Sequence, residues 1–567
     1  MLFFFKKLCL ILIYWVFTIG FLEAQTWRSS LYPDDWRPGF RDSLGRFLHD
    51  FSYAGYHSGL IPIPTVQNNI IDVTKPPYSA DNSGKIDVTA SIQQAIDDAG
   101  KQGGGVIFFP TGEYAVSIPD DKAFALQVRT NNILLRGAGI GKSHIKNITT
   151  NMRSKVCISF DPNTGDWANP LNKSVFIIDD ILANSHIVKV KDASSFTTGD
   201  LIVLISDCTD QFIGEHKSVG QWSDSISGVR FCRYIIGIDY KNNLIEIDAP
   251  TRYVLKERDN ARVILIGKQL EESGIEDISI GNIQNNKTKF WNDDNAFSNQ
   301  GTGPYEVHAS HLIDFNHTIN CWVKNVATYR PKENKDDFHT LSNCLRISES
   351  RFISLIKCNF QKSQYEGGGG NGYLYTLEGN DCLLDECYAE DGRHNYDFKE
   401  MSCSGNVLLN CVSKNPRYAS DFHMWLSMSN LIDGFISDGD YLDASFRPYG
   451  PKGFRHMYTT TETVFWNTKG LNPHKFNYLI DSRQWKWGYV IGTSGKTYKV
   501  NTRPVAGTTD NKGNSYYENL VFDTSPEDLV EGEGKGEFLV PKSLYLDQLY
   551  KRKQRIRSNK SLDNLKY

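Results

Sequence analysis

The chain repeats. From about residue 310 onward, short apolar segments recur, each closing on a small or polar residue: CWVKNV, ISLIKC, LLDEC, VLLNC, LIDG and VFWNT. Taking Val326, Cys358, Cys387, Cys411, Gly434 and Thr468 as equivalent gives spacings of 32, 29, 24, 23 and 34 residues. A base period of about 23 with loop insertions predicts a solenoid, in which each turn of chain buries against the next a face it cannot bury alone. Equivalent residues then stand above one another, and Cys358, Cys387 and Cys411 are expected to form an inward ladder of small side chains. The repeat also changes the meaning of length. A chain of 567 residues would otherwise imply about three or four ordinary domains, whereas a stacked core grows along its axis.

Ahead of the repeat, Ile92, Ala95, Ile96 and Ala99 mark one apolar face of a helix that Asp87 or Thr89 can cap and Gly103 to Gly105 end. Val106 to Phe109 follows as a buried strand. Gly137, Gly139 and Gly141 follow a strand, but no amphipathic helix opens after them, so they read as turn residues and not as a nucleotide site. At the start, Lys6 and Lys7 precede an apolar run from Leu8 to Leu22 and a small-residue cleavage site at Ala24. This predicts a secretory leader over residues 1–24 and a periplasmic or secreted product. Ten cysteines remain beyond it, without CxxC pairs, so zinc and a disulfide framework are both weak readings.

Residues 25–80 are expected to form an N-terminal extension and cap, 81–500 the solenoid, and 501–567 a C-terminal cap with a basic tail, KRKQRIR, at 551–557. A helix is expected over Leu544 to Arg557. Between about 160 and 270, alternating strands with NN and GD turns lack the repeat cadence and predict a small antiparallel β insertion. Its loop QFIGEHKSVGQWSDS either overhangs the solenoid groove or is an ordinary surface loop. A formal net charge of −4 gives no ground for a nucleic-acid partner.

The opening helix, GGGVIFFPTGEY and the NNILLRGAG turn resemble the start of the right-handed parallel β-helix of the pectate-lyase-like superfamily, over about residues 80–500. The resemblance implies an all-β fold and leaves the reaction open, since lyases, glycoside hydrolases and phage tailspikes share it. DFSYAGYHSG at 50–59 and PKSLYLDQLYKR near the end resemble exported Bacteroidota members encoded with polysaccharide-degradation genes. Among those, the chain is most similar to the branch containing an oligosaccharide dehydratase of ulvan degradation.

A second repeat lies in the loops: NKDDFH at 334–339, HNYDFK at 394–399 and YASDFH at 418–423. Alternation in a strand would turn Phe338, Phe398 and Phe422 inward. Asp337 with His339, Asp397 with Lys399, and Asp421 with His423 would then share an outer face on successive turns. Arg393 and Arg417 each precede an aspartate by four residues, His456 extends the column, and Tyr396, Tyr418 and Trp425 add aromatic faces suited to sugars. The bland reading is a ladder of solvated, mutually neutralising charges.

Such a column suits β-elimination on a uronate, which needs its carboxylate neutralised, its C5 proton removed and its leaving oxygen protonated. Arg393 and Arg417 are the expected carboxylate clamps. His423 is the first choice of base, with Lys399 or Tyr396 as rival, and His394 is a candidate acid. Asp397, Asp421, His339, Tyr373, Tyr375, Trp425 and His456 are expected to bind substrate, and Glu366 in the glycine-rich loop 362–375 is a weaker catalytic candidate. The leaving group is either a sugar, in a chain-cleaving lyase, or water from a terminal uronate, in a dehydratase. Hydrolysis by paired acids, Asp397 with Asp421 or Asp336 with Asp337, is the main alternative; a non-catalytic glycan-binding β-helix is the third. The expected partner is an acidic oligo- or polysaccharide, with no nucleic acid, no membrane span and a monomeric chain. No metal is expected in the reaction. Calcium is the alternative, with acids at 292–295 and 335–337 to hold it.

Overall fold

A computed structural model describes residues 25–163, 167–168, 173–502 and 527–563, with side chains to 558. The expected leader at 1–24 lies outside the described residues. The rungs stack in parallel and in register: Ser354–Ile356 pairs with Leu383–Asp385, then Val407–Leu409, Leu431–Asp433 and the start of Val464–Gly470. A second set, Asn359–Gln361, Tyr388–Glu390, Val412–Lys414 and Ile436–Asp438, repeats that register. The chain is a parallel β-helix.

One residue per turn joins the two sets in a left-handed conformation: Asn325, Lys357, Glu386, Asn410, Gly434 and Asn467, with φ between 52° and 67°. Asparagine and glycine take that conformation at low cost, which is why they mark rung ends in the sequence. The residue after the corner points into the core. Cys358, Cys387 and Cys411 do so and are buried, but the next member is Phe435, because Val412 pairs with Ile436. The expected equivalence of Gly434 is thus one residue out of register: Gly434 lies over Asn410 at the corner. All ten described cysteines are free and buried.

A 12-stranded sheet forms the other long wall, running from Phe124–Val128 to Val500–Asn501. On its inner face Phe398 stacks on Phe422 with centroids 4.6 Å apart, as alternation predicts. The helix Thr89–Lys101 buries Ile92, Ala95, Ile96 and Ala99. Asp87 accepts from the Thr89 amide at 2.9 Å, satisfying one of the donors left free in the first turn.

Val156–Phe160 pairs directly with His311–Asn316, so the coil is continuous beneath the segment between them. That segment includes a six-stranded antiparallel sheet between Ser174 and Leu265. Its apolar core merges with Met401, Leu426, Met428, Phe446 and Trp485 of the coil. At the same junction the buried carboxylate of Asp381 meets Arg252 at 2.7 Å, Arg351 at 3.2 Å and Arg233 at 3.3 Å.

The C-terminal helix, Leu544–Asp563, does not cap the end of the coil. It lies along the flank with residues 31–54, and together they bury Leu383, Val407, Leu431 and Val464 on the outer face of the first wall. Tyr545 Oη donates to Ala54 O at 2.9 Å and Gln548 Nε2 to His49 O at 2.9 Å. Those outer residues are apolar on successive rungs, so the wall needs a cover, and the two ends of the chain supply it. No described helix is long and apolar enough to cross a membrane.

Removing the Asp381 carboxylate would leave three guanidinium groups buried at one junction. Asp381→Ala is therefore expected to cost about 3–5 kcal/mol in chemical denaturation; a loss below about 1 kcal/mol, the scale of an exposed pair, would contradict this account of the docking.

Candidate active site

The 12-stranded sheet arranges its outer side chains in columns. Asp397 pairs with Asp421, Asp421 with Asp443, and Asp443 with Asp481. Four nearly buried carboxylates therefore stand on successive rungs, and at a rung spacing of about 4.8 Å they repel unless cations or protons intervene. Arg447 supplies one cation, donating to Asp421 and, at 2.6 Å, to Asp443 Oδ2. Lys399 Nζ lies 3.0 Å from Asp397 Oδ2 and Arg483 2.8 Å from Asp481.

The charge is unevenly shared. Burial and the neighbouring Asp421 push Asp397 well above the usual carboxylate range in spite of Lys399. Burial also works to raise Asp421, but His394, Arg447 and His423 overcome it and hold that group well below. Of the two, Asp397 therefore holds a proton more readily and Asp421 keeps its charge more readily.

Over Asp421 lies a pocket of about 660 Å³ lined by Tyr373, Arg393, His394, His423, Arg447 and His456, among others. His423 Nδ1 is 3.0 Å from Asp421 Oδ2, nearer than its 3.4 Å from Arg447 Nη1. Facing an ionised carboxylate, Nδ1 carries the hydrogen, which leaves the Nε2 lone pair to accept from Tyr373 Oη at 3.3 Å. Arg393 Nη1 donates to the same phenol oxygen at 2.9 Å. Burial raises the Tyr373 phenol, and Arg393 and Lys399 draw it back. His394 Nδ1 donates to Ala419 O at 2.5 Å, and its buried Nε2 has no hydrogen-bond partner among the described residues.

Burial lowers all three histidines, His423 and His456 to about 3 and His394 well below its ordinary value. The pocket thus combines neutral imidazoles with cations. Arg393 has no carboxylate ion-pair partner among the described residues, and its guanidinium lies 5.6 Å from the Tyr373 ring and 5.4 Å from that of Tyr418. The exposed Lys475 sits over Tyr418 at 5.4 Å.

His394, Asp421 and His423 bring ligand-type atoms within 4.8 Å of one another, the one such trio among the described residues. Their hydrogen bonds fit a network better than a metal shell: His394 Nδ1 points its hydrogen at a carbonyl, and Arg447 already occupies Asp421. Two of the acids in the stretches expected to hold calcium are engaged as well. Asp294 pairs with Arg417 at 2.7 Å, and Asp336 accepts from Gln284 at 3.1 Å.

Of the residues expected from sequence, His423, Lys399, His394, Arg393, Tyr373 and His456 meet at this pocket, with Asp397 and Asp421 beneath. Others need correction. Tyr396 is fully buried in the core, its hydroxyl donating to Cys387 O at 2.8 Å, and Tyr375 stacks on it there. Strict alternation already puts Tyr396 on the face of Phe398. His339 belongs to no strand of this sheet; the loop 334–339 precedes the strand Asn343–Arg351, and the ring lies 3.1 Å from Thr328 Oγ1. Phe338 is half-buried in that loop rather than stacked with Phe398. Arg417 turns away, donating to Glu366 O at 2.7 Å. Trp425 lies outside the pocket, its indole donating to Arg455 O at 3.1 Å.

Arg447, Asp443 and Lys475 were not anticipated. The signal for two of them was present: YLDASFR repeats an outward aspartate one rung on, but its arginine follows the aspartate by four residues instead of preceding it.

The antiparallel insertion reaches the rim. Trp222 Nε1 donates to Arg455 O at 2.9 Å, the carbonyl that Trp425 also meets, and Arg455 N donates to Gln221 O at 3.2 Å. Both tryptophans thereby fix the loop that sets the His456 ring 4.7 Å from that of His423. The loop expected either to overhang the groove or to be ordinary surface is this contact.

Residues 71–210 match the family described as rhamnogalacturonase A/epimerase, pectate lyase-like. Alginate lyase 7 of Azotobacter vinelandii is 42% identical over 69 residues, 12% of this chain and 8% of that protein. Mannuronan C5-epimerase AlgE3 of the same organism is 32% identical over 100 residues, 17% of this chain and 5% of that one. The matches therefore span only a small fraction of those relatives' length. Among solved structures, the Gp54 tailspike of Acinetobacter baumannii bacteriophage AP22, in complex with A. baumannii capsular saccharide, aligns at a TM-score of 0.40 and 10% identity, over 73% of this chain and 61% of that one.

Because burial keeps His423 and His456 neutral down to about 3, ring resonances of histidine-labelled protein, assigned by His423→Gln and His456→Gln, should not titrate between about pH 5 and 8. A midpoint near the ordinary value of about 6.5 for either ring would contradict the buried, neutral site.

Proposed function

We propose that this chain, a parallel β-helix of pectate-lyase-like type, is a carbon–oxygen lyase that eliminates across C4 and C5 of a uronate in an oligo- or polysaccharide. The observation that carries the reading is the chain Asp421–His423–Tyr373–Arg393, set in a pocket whose Arg393 lacks a carboxylate partner among the described residues. An uncompensated guanidinium is a seat for a substrate carboxylate. Neutralising that carboxylate makes the C5 proton more acidic. Tyr373 takes the C5 proton as it passes its own to His423 Nε2, and Asp421 stabilises the imidazolium through Nδ1. The C5–H electrons form the C4–C5 double bond and the C4–O bond breaks with its pair on oxygen. Tyr373 then hands a proton to the leaving oxygen as His423 returns the first.

The partial likeness to an alginate lyase and a mannuronan C5-epimerase supports a uronate as substrate, since proton removal at C5 is a step both chemistries need. Hydrolysis fits the site less well. It requires two carboxyl groups facing each other across the scissile bond, about 5–9 Å apart, whereas Asp397 and Asp421 are stacked in one buried column and held by Lys399 and Arg447. The apolar leader supports an exported enzyme acting outside the cytoplasm.

Formation of a conjugated, ultraviolet-absorbing uronate on uronate-rich glycans, ulvan included, should fall about 10²- to 10⁴-fold in Tyr373→Phe and in His423→Ala. Arg393→Lys should raise KM more than it lowers kcat. Full activity in a folded Tyr373→Phe variant would remove the relay.

A further inference from the structure

The loop from Ser363 to Gly370 has a cavity on each side. Gly369 and Gly370 line the pocket just described. Ser363, Gln364 and Glu366 line a second one, of about 810 Å³, whose other walls include Gln284, Trp291, Phe338 and Arg417. Arg417 connects the two, since its guanidinium stacks 5.0 Å from the ring of Tyr418, which lines the first.

The second cavity differs from the first in charge. Two of its three cations are matched, Arg417 by Asp294 at 2.7 Å and Lys287 by Glu306 at 2.5 Å, and the third, Lys335, is exposed. Amides dominate the polar wall and are fixed by their own bonds, Gln284 Nε2 to Asp336 at 3.1 Å and Gln364 Nε2 to Asn285 O at 2.8 Å. The half-buried Glu366 brings a carboxyl group with no hydrogen-bond or ion-pair partner among the described residues, and burial raises it to about 7. A wall of oriented amides, one partnerless carboxyl and two aromatic rings is suited to hydroxyl groups and a sugar face. It has no unmatched arginine to seat a second uronate, and its wall adds the acids Asp336 and Glu366.

We infer that this cavity is a second saccharide subsite, and that it holds an uncharged sugar ring next to the reacting uronate. The inference rests on the proposed reaction only in assigning the uronate to the first pocket. It implies that the preferred glycan is a heteropolymer in which uronate and neutral sugar adjoin, in contrast to a polyuronate. Stacking on Trp291 and the amide bonds would tie affinity to the neutral unit.

The test is calorimetric binding of two tetrasaccharides, one alternating uronate with neutral hexose and one of uronate alone, to wild type, Trp291→Ala and Thr288→Trp. Thr288 is exposed and lines only the second cavity among the two, so the second variant fills the space even if the first is poorly folded. Wild type should bind the alternating probe about tenfold tighter, and both variants should lose that advantage while binding a free uronate monosaccharide as wild type does. Equal wild-type affinity for the two tetrasaccharides, or no change in either variant, would overturn the subsite. If the variants lose the alternating probe yet no glycan yields an unsaturated product, the subsite stands and the proposed reaction falls.

Discussion

Parallel stacking in register is the constraint from which the site follows. Each turn places its side chains directly over those of the last, about 4.8 Å away, so a residue type repeated at one position becomes a column. Inside the coil this is favourable: cysteines, phenylalanines and tyrosines pile up as Cys358 to Cys411, Phe398 on Phe422 and Tyr375 on Tyr396. Outside, the same rule sets Asp397, Asp421, Asp443 and Asp481 against one another. The repulsion is eased by Arg447, Lys399 and Arg483 and by the raised proton affinity of Asp397. At the pocket, what remains is an ionised carboxylate, Asp421, pointing at His423. The column thus sets which tautomer His423 adopts, and through it which nitrogen faces Tyr373.

The coil alone makes an open face. The insertion turns it into a pocket by fixing the loop that carries His456, and it is itself fixed by the Asp381 carboxylate among three arginines. Burial at this face then lowers the histidines. Fold, enclosure and protonation state form one chain of cause, beginning in the register and ending in neutral imidazoles beside an unmatched guanidinium.

Much of this was legible in the residues, and the boundary is instructive. The cadence of short strands gives the coil, because a period of this kind has few other physical solutions. The D-F-H and D-F-K motifs give two true rungs, since Asp397 and Asp421 share a strand position, but the third copy at 334–339 is a loop. Three residues cannot reveal pairing register, and only the rungs at 343–351 and 373–380 show which turn lies beneath. Gly434 was misaligned for a related reason: the corner and the core position are adjacent, and a glycine suits the first while the ladder continues through Phe435. Tyr396 and Tyr375 carry hydroxyl groups of a kind that suits proton transfer, yet both face inward. In the fold their hydroxyl groups are satisfied by backbone carbonyls within the core. Lys475 comes from a loop whose return to the site depends on contacts distant in sequence, which no local pattern records, whereas Arg447, in the short strand Phe446–Arg447, departs from the pattern only by following its aspartate.

The central claim is that this pocket breaks a carbon–oxygen bond by elimination at a uronate. Mass spectrometry of the products from uronate-rich glycans tests it most directly. The account predicts a product lighter by one water than the corresponding hydrolytic fragment, carrying a double bond at its uronate end. New reducing ends of full hydrolytic mass, with no unsaturated product, would contradict it.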